Sequence, residues 1–115
     1  MASSLDRVDH ALDIIEQVCG PDERAMVERK LTDPVIAKGF GGALHIGGYR
    51  GGIGVFKSDA ESYRRNLARA VVLTLLSQGK LQPAQADVQL ASLRGRSSGE
   101  LERQLKALFP YKAFR

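Results

Sequence analysis

The longest apolar helical pattern in the chain runs from Ser58 to Gln78, and the other patterned segments are shorter. In its first half, buried and polar stripes recur at spacings of three and four residues, as in an amphipathic helix. Its second half, AVVLTLL, is apolar on nearly every side. Such a segment is usually covered from more than one direction, by its own domain or by a second subunit. The pattern therefore predicts a central helix over 58–78 around which the rest of the chain packs.

Both ends of this predicted helix carry boundary signals. Ser58 and Glu61 have the spacing of a capping box, in which each side chain satisfies a free backbone N–H of the first turn. Gly79 follows the last helical residue, where a left-handed conformation commonly ends a helix. The segment is too short, and too charged in its first half, to span a bilayer.

Two shorter helices are predicted in the acidic N-terminal part, residues 1–36. Apolar residues recur at helical spacing in the first of them: Leu5, Val8, Leu12, Ile15 and Cys19. This period predicts a helix from Ser4 to Cys19, with acidic residues such as Asp13 on the remaining faces. The pair Gly20-Pro21 breaks that pattern and starts a second helix, which runs to about Leu31.

A glycine-rich segment separates these helices from the central one, since residues 39–54 hold eight of the twelve glycines. Apolar residues alternate on both sides of a glycine turn. This pattern predicts a β-hairpin over 39–57, with strands near Ala43–Gly48 and Ile53–Lys57. A two-stranded ribbon is marginal alone, so we expect its apolar face to pack on the central helix. Tyr49, Arg50 and Lys57 are the predicted partner-binding residues of the hairpin.

The end of the hairpin also suggests an anion site. Lys57 and Ser58 enter a helix as they would in a phosphate-binding loop, but Phe56 stands where that motif has glycine. The segment GGIGVFKS also lacks the third glycine of a dinucleotide-binding fingerprint. The favoured interpretation is a structural hairpin. The alternative is an anion site formed by Lys57 and the N-terminus of the helix. No cofactor is predicted.

The C-terminal part, residues 81–108, predicts a pair of short helices. Pro83 opens the first helix, and a second capping box at Ser97 and Glu100 starts the other. Two short helices joined by a tight turn that contains glycine are typical of a helix-turn-helix. The alternative is a plain helical hairpin, because Arg94 and Arg96 flank the turn glycine where apolar residues normally pin the two helices together.

A helix-turn-helix would place basic and polar side chains on the backbone and in a groove of DNA. The predicted nucleic-acid-binding residues of the pair are Arg94, Arg96, Ser97, Ser98, Arg103 and Lys106. Further phosphate contacts are predicted on the central helix at Arg64, Arg65 and Arg69. The aromatic and basic tail, residues 109–115, is expected to fold back onto the core. A stacking platform for single-stranded nucleic acid and a partner-binding arm are its alternatives.

Composition limits the fold and the chemistry. A chain of 115 residues with 43% hydrophobic content is long enough for one core. We therefore expect a single domain over 1–115, of α+β class but mostly helical. The single Cys19 forms no internal disulfide, and the polar opening of the chain does not match a signal peptide, so a cytoplasmic location is expected.

The charge is unevenly distributed along the chain. The net charge is +4, but residues 1–36 carry −4 and residues 37–115 carry +8. Such asymmetry suits either a polyanionic partner for the basic part or attraction between the two parts of the fold.

Catalytic patterns are missing from the sequence. His10 and His45 lie in unrelated settings, and neither has metal-ligand spacing with Cys19. The sequence therefore predicts no enzyme and no metal site. The preferred hypothesis is a small nucleic-acid-binding protein, a dimeric regulator that binds DNA rather than RNA. The alternative is a non-catalytic interaction module, an inhibitor or adaptor that binds an acidic protein.

Overall fold

A computed structural model describes residues 8–31 and 60–109 of the chain. Helices account for 82% of these described residues. The α-helices are α1 (Val8–Cys19), α2 (Pro21–Leu31), α3 (Ala60–Ser77), α4 (Ala86–Ser92) and α5 (Ser98–Ala107), and a 3₁₀ turn at Pro83–Gln85 leads into α4. None of these helices combines the length and apolar character that crossing a membrane requires.

The predicted α+β class is wrong for the part of the chain that the structure describes. Residues 8–31 and 60–109 contain five α-helices and no strand. The class depended on the hairpin predicted over 39–57, which lies outside the described residues together with Tyr49, Arg50 and Lys57. In the described ranges the apolar residues recur at three- and four-residue spacing, which is the helical period, so the fold there is all-helical.

Helix α3 is the centre of this fold, as the sequence pattern predicts. Helix α1 packs against α2, α3 and α5, while α4 and α5 each pack on α3. The apolar second half of α3 is buried within the chain, where Val71, Val72 and Leu73 are 0% exposed. No second subunit is therefore needed to cover it. One cluster of buried apolar side chains includes residues from all five helices.

Two of the predicted helix boundaries are confirmed in detail. At the end of α3, Gly79 has a φ of +72°. The Lys80 N–H donates to the Leu75 carbonyl at 2.9 Å, and the Gly79 N–H donates to that of Leu76 at 3.1 Å. This is the Schellman arrangement, and the positive φ favours glycine. At the start of α5, the Glu100 N–H donates to Ser97 Oγ at 3.2 Å, which completes the predicted capping box.

Two hydrogen bonds hold α5 on α3, one between the helices and one between the residues that directly follow them. The Tyr63 hydroxyl donates to Glu102 Oε2 at 2.6 Å, and Gln78 Nε2 donates to the Leu108 carbonyl at 2.6 Å. Phe109 follows α5 and is buried in the core, as expected for the start of the tail. Residues 110–115 lie outside the described part. The two hydrogen bonds and the buried Phe109 thus fix the position of α5 on α3.

The Tyr63–Glu102 pair predicts a loss of stability at alkaline pH. Burial raises the pKa of Tyr63 well above its ordinary value of 10.0, and the hydrogen bond to the Glu102 carboxylate raises that pKa further. Stability from a raised folded-state pKa is fully present below the unfolded pKa and is lost as the pH rises above it. We therefore expect the free energy of unfolding to fall above pH 10. Tyr63→Phe should flatten that fall in denaturant titrations, and an equally steep fall in both proteins would contradict it.

Helices α1 and α2 are joined by a buried ion pair that the sequence pattern does not reveal. Periodicity places Asp13 on a polar face, yet Asp13 and Arg24 are only 5% and 6% exposed. Arg24 Nη1 donates to Asp13 Oδ1 and, at 3.1 Å, to Glu16 Oε1. Burial opposes the charge of Arg24, but the hydrogen bond and the charges of Asp13, Glu28 and Glu16 outweigh it and raise the pKa of Arg24. Asp13 is buried because it neutralises a buried cation.

A candidate arginine-lined groove

A groove lies between the first half of α3 and helix α4, and its volume is about 390 Å³. Four of the residues that line it are arginines: Arg64, Arg65, Arg69 and Arg94. Three others are Ala68, Leu90 and Leu93, which are 4%, 6% and 1% exposed and therefore form its bottom. Arg65 and Arg94 are exposed, so they stand at its rim. We refer to this cavity as the arginine groove.

The arginine groove is strongly positive. Its lining carries four guanidinium groups and one carboxylate, that of Glu61, so its net charge is +3. Arg65 and Arg69 are four residues apart on one helix face, where like charges destabilise a helix by about 0.2–0.5 kcal/mol. Several guanidinium groups around one cavity can attract an anion.

Two arginines of α3 donate hydrogen bonds to neutral side chains three residues earlier in the helix. Arg65 Nη2 donates to Ser62 Oγ at 3.3 Å, and Arg69 Nη1 donates to Asn66 Oδ1 at 3.0 Å. Asn66, only 4% exposed, is itself held in place by its surroundings. These hydrogen bonds restrict the orientations of the two guanidinium groups.

Arg64 fastens the two walls of the groove to each other. Its Nη1 donates to the main-chain carbonyl of Arg94, and its Nη2 pairs with Glu61 Oε2. The first bond joins α3 to the turn between α4 and α5, so that the Arg94 side chain is presented from a fixed backbone. Arg64 therefore serves the shape of the groove, while Arg65 and Arg94 supply its accessible charge.

The structure brings together some of the predicted nucleic-acid-binding residues and not others. Arg64, Arg65, Arg69 and Arg94 share the arginine groove. The remaining ones do not line it: Arg96 and Ser97 are exposed in the turn, Ser98 is a half-buried first residue of α5, and Arg103 and Lys106 are exposed on α5. The Ser97 side chain is engaged in the capping box. The predicted set is thus divided between the arginine groove and positions in the turn and on α5.

The helical pair is present where the sequence predicts it, but its link and its packing differ from those of a helix-turn-helix. Helices α4 and α5 are connected through residues 93–97, a five-residue link. The turn of a helix-turn-helix is about three or four residues long. Both helices make their main contacts with α3. The two helices therefore pack separately on α3, and α4 forms a wall of the arginine groove.

Sequence reasoning found the charges of the groove and missed its bottom. The arginines of α3 stand out as a polar stripe, and Arg94 stands out in the turn. Leu90 and Leu93 give no signal of their own, because their role depends on how α4 lies across α3. Within residues 8–31 and 60–109, no group of three or more His, Cys, Asp or Glu side chains is placed to hold a metal ion.

Comparison of the chain with protein-family models, with curated proteins and with solved structures found no match.

Proposed function

We propose that this protein binds nucleic acid, DNA in the first place, through the arginine groove and the exposed basic residues of the turn and of α5. The observation that carries the proposal is the convergence of four arginines from α3 and the α4–α5 turn on one cavity. Guanidinium groups match phosphate oxygens in charge and in geometry. Phosphate contacts of this type supply most of the affinity when a protein binds nucleic acid without regard to base sequence.

The basic residues outside the groove, together with Arg65 and Arg94, also support the proposal. Arg65, Arg94, Arg96, Arg103 and Lys106 make no ion pair with a carboxylate within residues 8–31 and 60–109. All five are exposed: Arg65 on α3, Arg94 and Arg96 in the turn, and Arg103 and Lys106 on α5. Arg96 lies two residues after Arg94, so a polyanion that contacts the groove meets a further cation in the turn.

Part of the negative charge of the acidic helices is used within the N-terminal half. Arg24 of α2 contacts Asp13, Glu16 at 3.1 Å and Glu28 at 3.7 Å. These three carboxylates are therefore engaged with a cation of their own half of the fold.

An acidic protein is the competing partner, because a protein surface can also present carboxylates to arginines. The apolar bottom of the groove suits an apolar side chain of such a partner. Nucleic acid is preferred because further exposed cations are present outside the groove, in the turn and on α5, as binding to a polyanion requires.

The proposal is tested with the double variant Arg65→Ala, Arg94→Ala. Both side chains are exposed, so the fold should keep its stability to within about 0.5 kcal/mol. We expect the affinity for fluorescent mixed-sequence DNA at low salt to fall about tenfold or more, since two charge-assisted contacts are removed. Fluorescence anisotropy measures the affinity for duplex and single-stranded probes.

The matched control is Lys30→Ala, Lys80→Ala, which removes the same charge from exposed positions on α2 and beyond the end of α3. This control should bind nearly as well as the wild-type protein. If wild-type protein fails to bind any DNA or RNA probe at low salt, the proposal is wrong, and an acidic protein becomes the partner to seek by affinity capture. Equal losses in the two double variants would show that the groove is not the binding surface.

A further inference from the structure

If the protein binds nucleic acid as proposed, the shape of the arginine groove determines which form of nucleic acid it accepts. A volume of about 390 Å³ lies within the range of pockets that enclose small molecules, about 300–1,000 Å³. A duplex is far too wide to enter such a cavity and would touch only its rim. An unpaired nucleotide is of the right size to enter it.

The chemistry of the lining agrees with the shape. The bottom is formed by three buried aliphatic side chains, Ala68, Leu90 and Leu93. The rim carries the exposed guanidinium groups of Arg65 and Arg94. An unpaired nucleotide combines a flat base with apolar faces and an anionic phosphate, and unpaired bases stack on guanidinium planes in single-strand recognition. Both parts of the nucleotide thus find a matching surface.

An acidic amphipathic helix fits the same groove less well. Helix-in-groove recognition uses apolar anchors spread over two turns, at positions i, i+3 or i+4, and i+7. The bottom of the arginine groove offers one compact apolar patch, enclosed by arginines on α3 and in the turn. We propose that the groove receives an unpaired nucleotide of a single strand, with the base against Leu90 and Ala68 and the phosphate held by Arg65 and Arg94.

The test is a charge-preserving double variant, Arg65→Lys, Arg94→Lys. Lysine keeps the positive charge but lacks the planar group that stacks on a base and pairs with phosphate in a bidentate manner. We expect the affinity for a single-stranded oligothymidylate of about 15 nucleotides to fall about tenfold. The affinity for a mixed-sequence duplex, which can touch only the rim of the groove and keeps its attraction to the two charges, should change less than about threefold. The control variant Arg96→Lys, Arg103→Lys lies outside the groove and should leave both affinities unchanged.

A second variant fills the groove without changing its charge. Ala68→Met places a longer side chain at the bottom of the cavity and should weaken single-strand binding selectively. Ala107→Met, at an exposed position on α5, is its control for the added side chain. Circular dichroism and thermal unfolding establish that each variant is folded. If Ala68→Met fails to fold, the lysine double variant decides the question alone.

The outcomes separate this inference from the proposed function. Duplex and single-strand affinities that fall equally in the lysine variant would overturn the inference and leave nucleic-acid binding in place. Thymidine monophosphate that binds as tightly as the oligonucleotide would also overturn it, because the ligand would then be a free nucleotide. Absence of binding to every nucleic-acid probe, with or without capture of an acidic protein, would overturn both.

Discussion

Replacing Asp13 with alanine is expected to lower the free energy of unfolding by about 3–5 kcal/mol. The substitution leaves the guanidinium of Arg24 buried, with only 7% of its side chain exposed and its closest counter-charge removed. A buried charge has lost its hydration, and removing its closest partner takes away the main interaction that compensates for this loss. Glu16 at 3.1 Å and Glu28 at 3.7 Å remain near Arg24, so we expect the lower part of that range. Urea unfolding followed by circular dichroism measures the change.

The control for this prediction is Glu16→Ala, which removes a carboxylate from the same cluster at a side chain that is 45% exposed. Exposed ion pairs contribute about 0–1 kcal/mol, so the control should have little effect. The double variant Asp13→Leu, Arg24→Met removes both charges and should recover much of the lost stability, because no buried ion is left unpaired. Equal effects of Asp13→Ala and Glu16→Ala would contradict the burial of this pair.

Leu67→Ala should have the other large effect on stability, a loss of about 2–5 kcal/mol. Leu67 is 0% exposed on the central helix α3, and helices α1, α2, α4 and α5 all pack against α3. The substitution removes buried methyl groups and leaves a cavity that the surrounding helices can close only in part. Thermal and urea unfolding of the purified variant give the change in stability.

Val88→Ala on α4 is the matched control, because Val88 is 74% exposed. Its loss removes little buried surface, and alanine has the higher helix propensity, so the stability should change by less than about 0.5 kcal/mol. If Leu67→Ala were as mild as this control, α3 would not be the centre of the core. Binding by either variant should follow its folded fraction, since neither residue lines the arginine groove.

Much of the helical framework could be predicted from the sequence, because its signals are local. The period of apolar residues predicts where α1, α3 and α5 lie, and Gly20-Pro21 predicts the start of α2. Gly79 and Ser97 mark boundaries through backbone geometry and a capping hydrogen bond. These features depend on residues a few positions apart. The α+β class was inferred from the glycine-rich stretch over 39–57, where alternating apolar residues favoured strands. This stretch lies outside the described residues, and the described residues contain helices and no strands.

The features that sequence reasoning missed are those that depend on how helices pack. Asp13 belongs to a polar face by periodicity alone, and only the approach of Arg24 from α2 explains its burial. Leu90 and Leu93 are ordinary core residues in the sequence, and only the crossing of α4 over α3 makes them the bottom of a groove. The charged residues were visible in the sequence, whereas their division between the groove and other positions in the turn and on α5 was not.

The salt dependence of DNA binding tests the central claim most directly. Each phosphate contact made by an Arg or Lys side chain adds about one to the slope of log affinity against log salt concentration. We predict steep salt dependence for the wild-type protein and a slope about two units smaller for Arg65→Ala, Arg94→Ala. An affinity that hardly varies with salt, or a slope that the double variant leaves unchanged, would contradict binding of phosphates at the arginine groove.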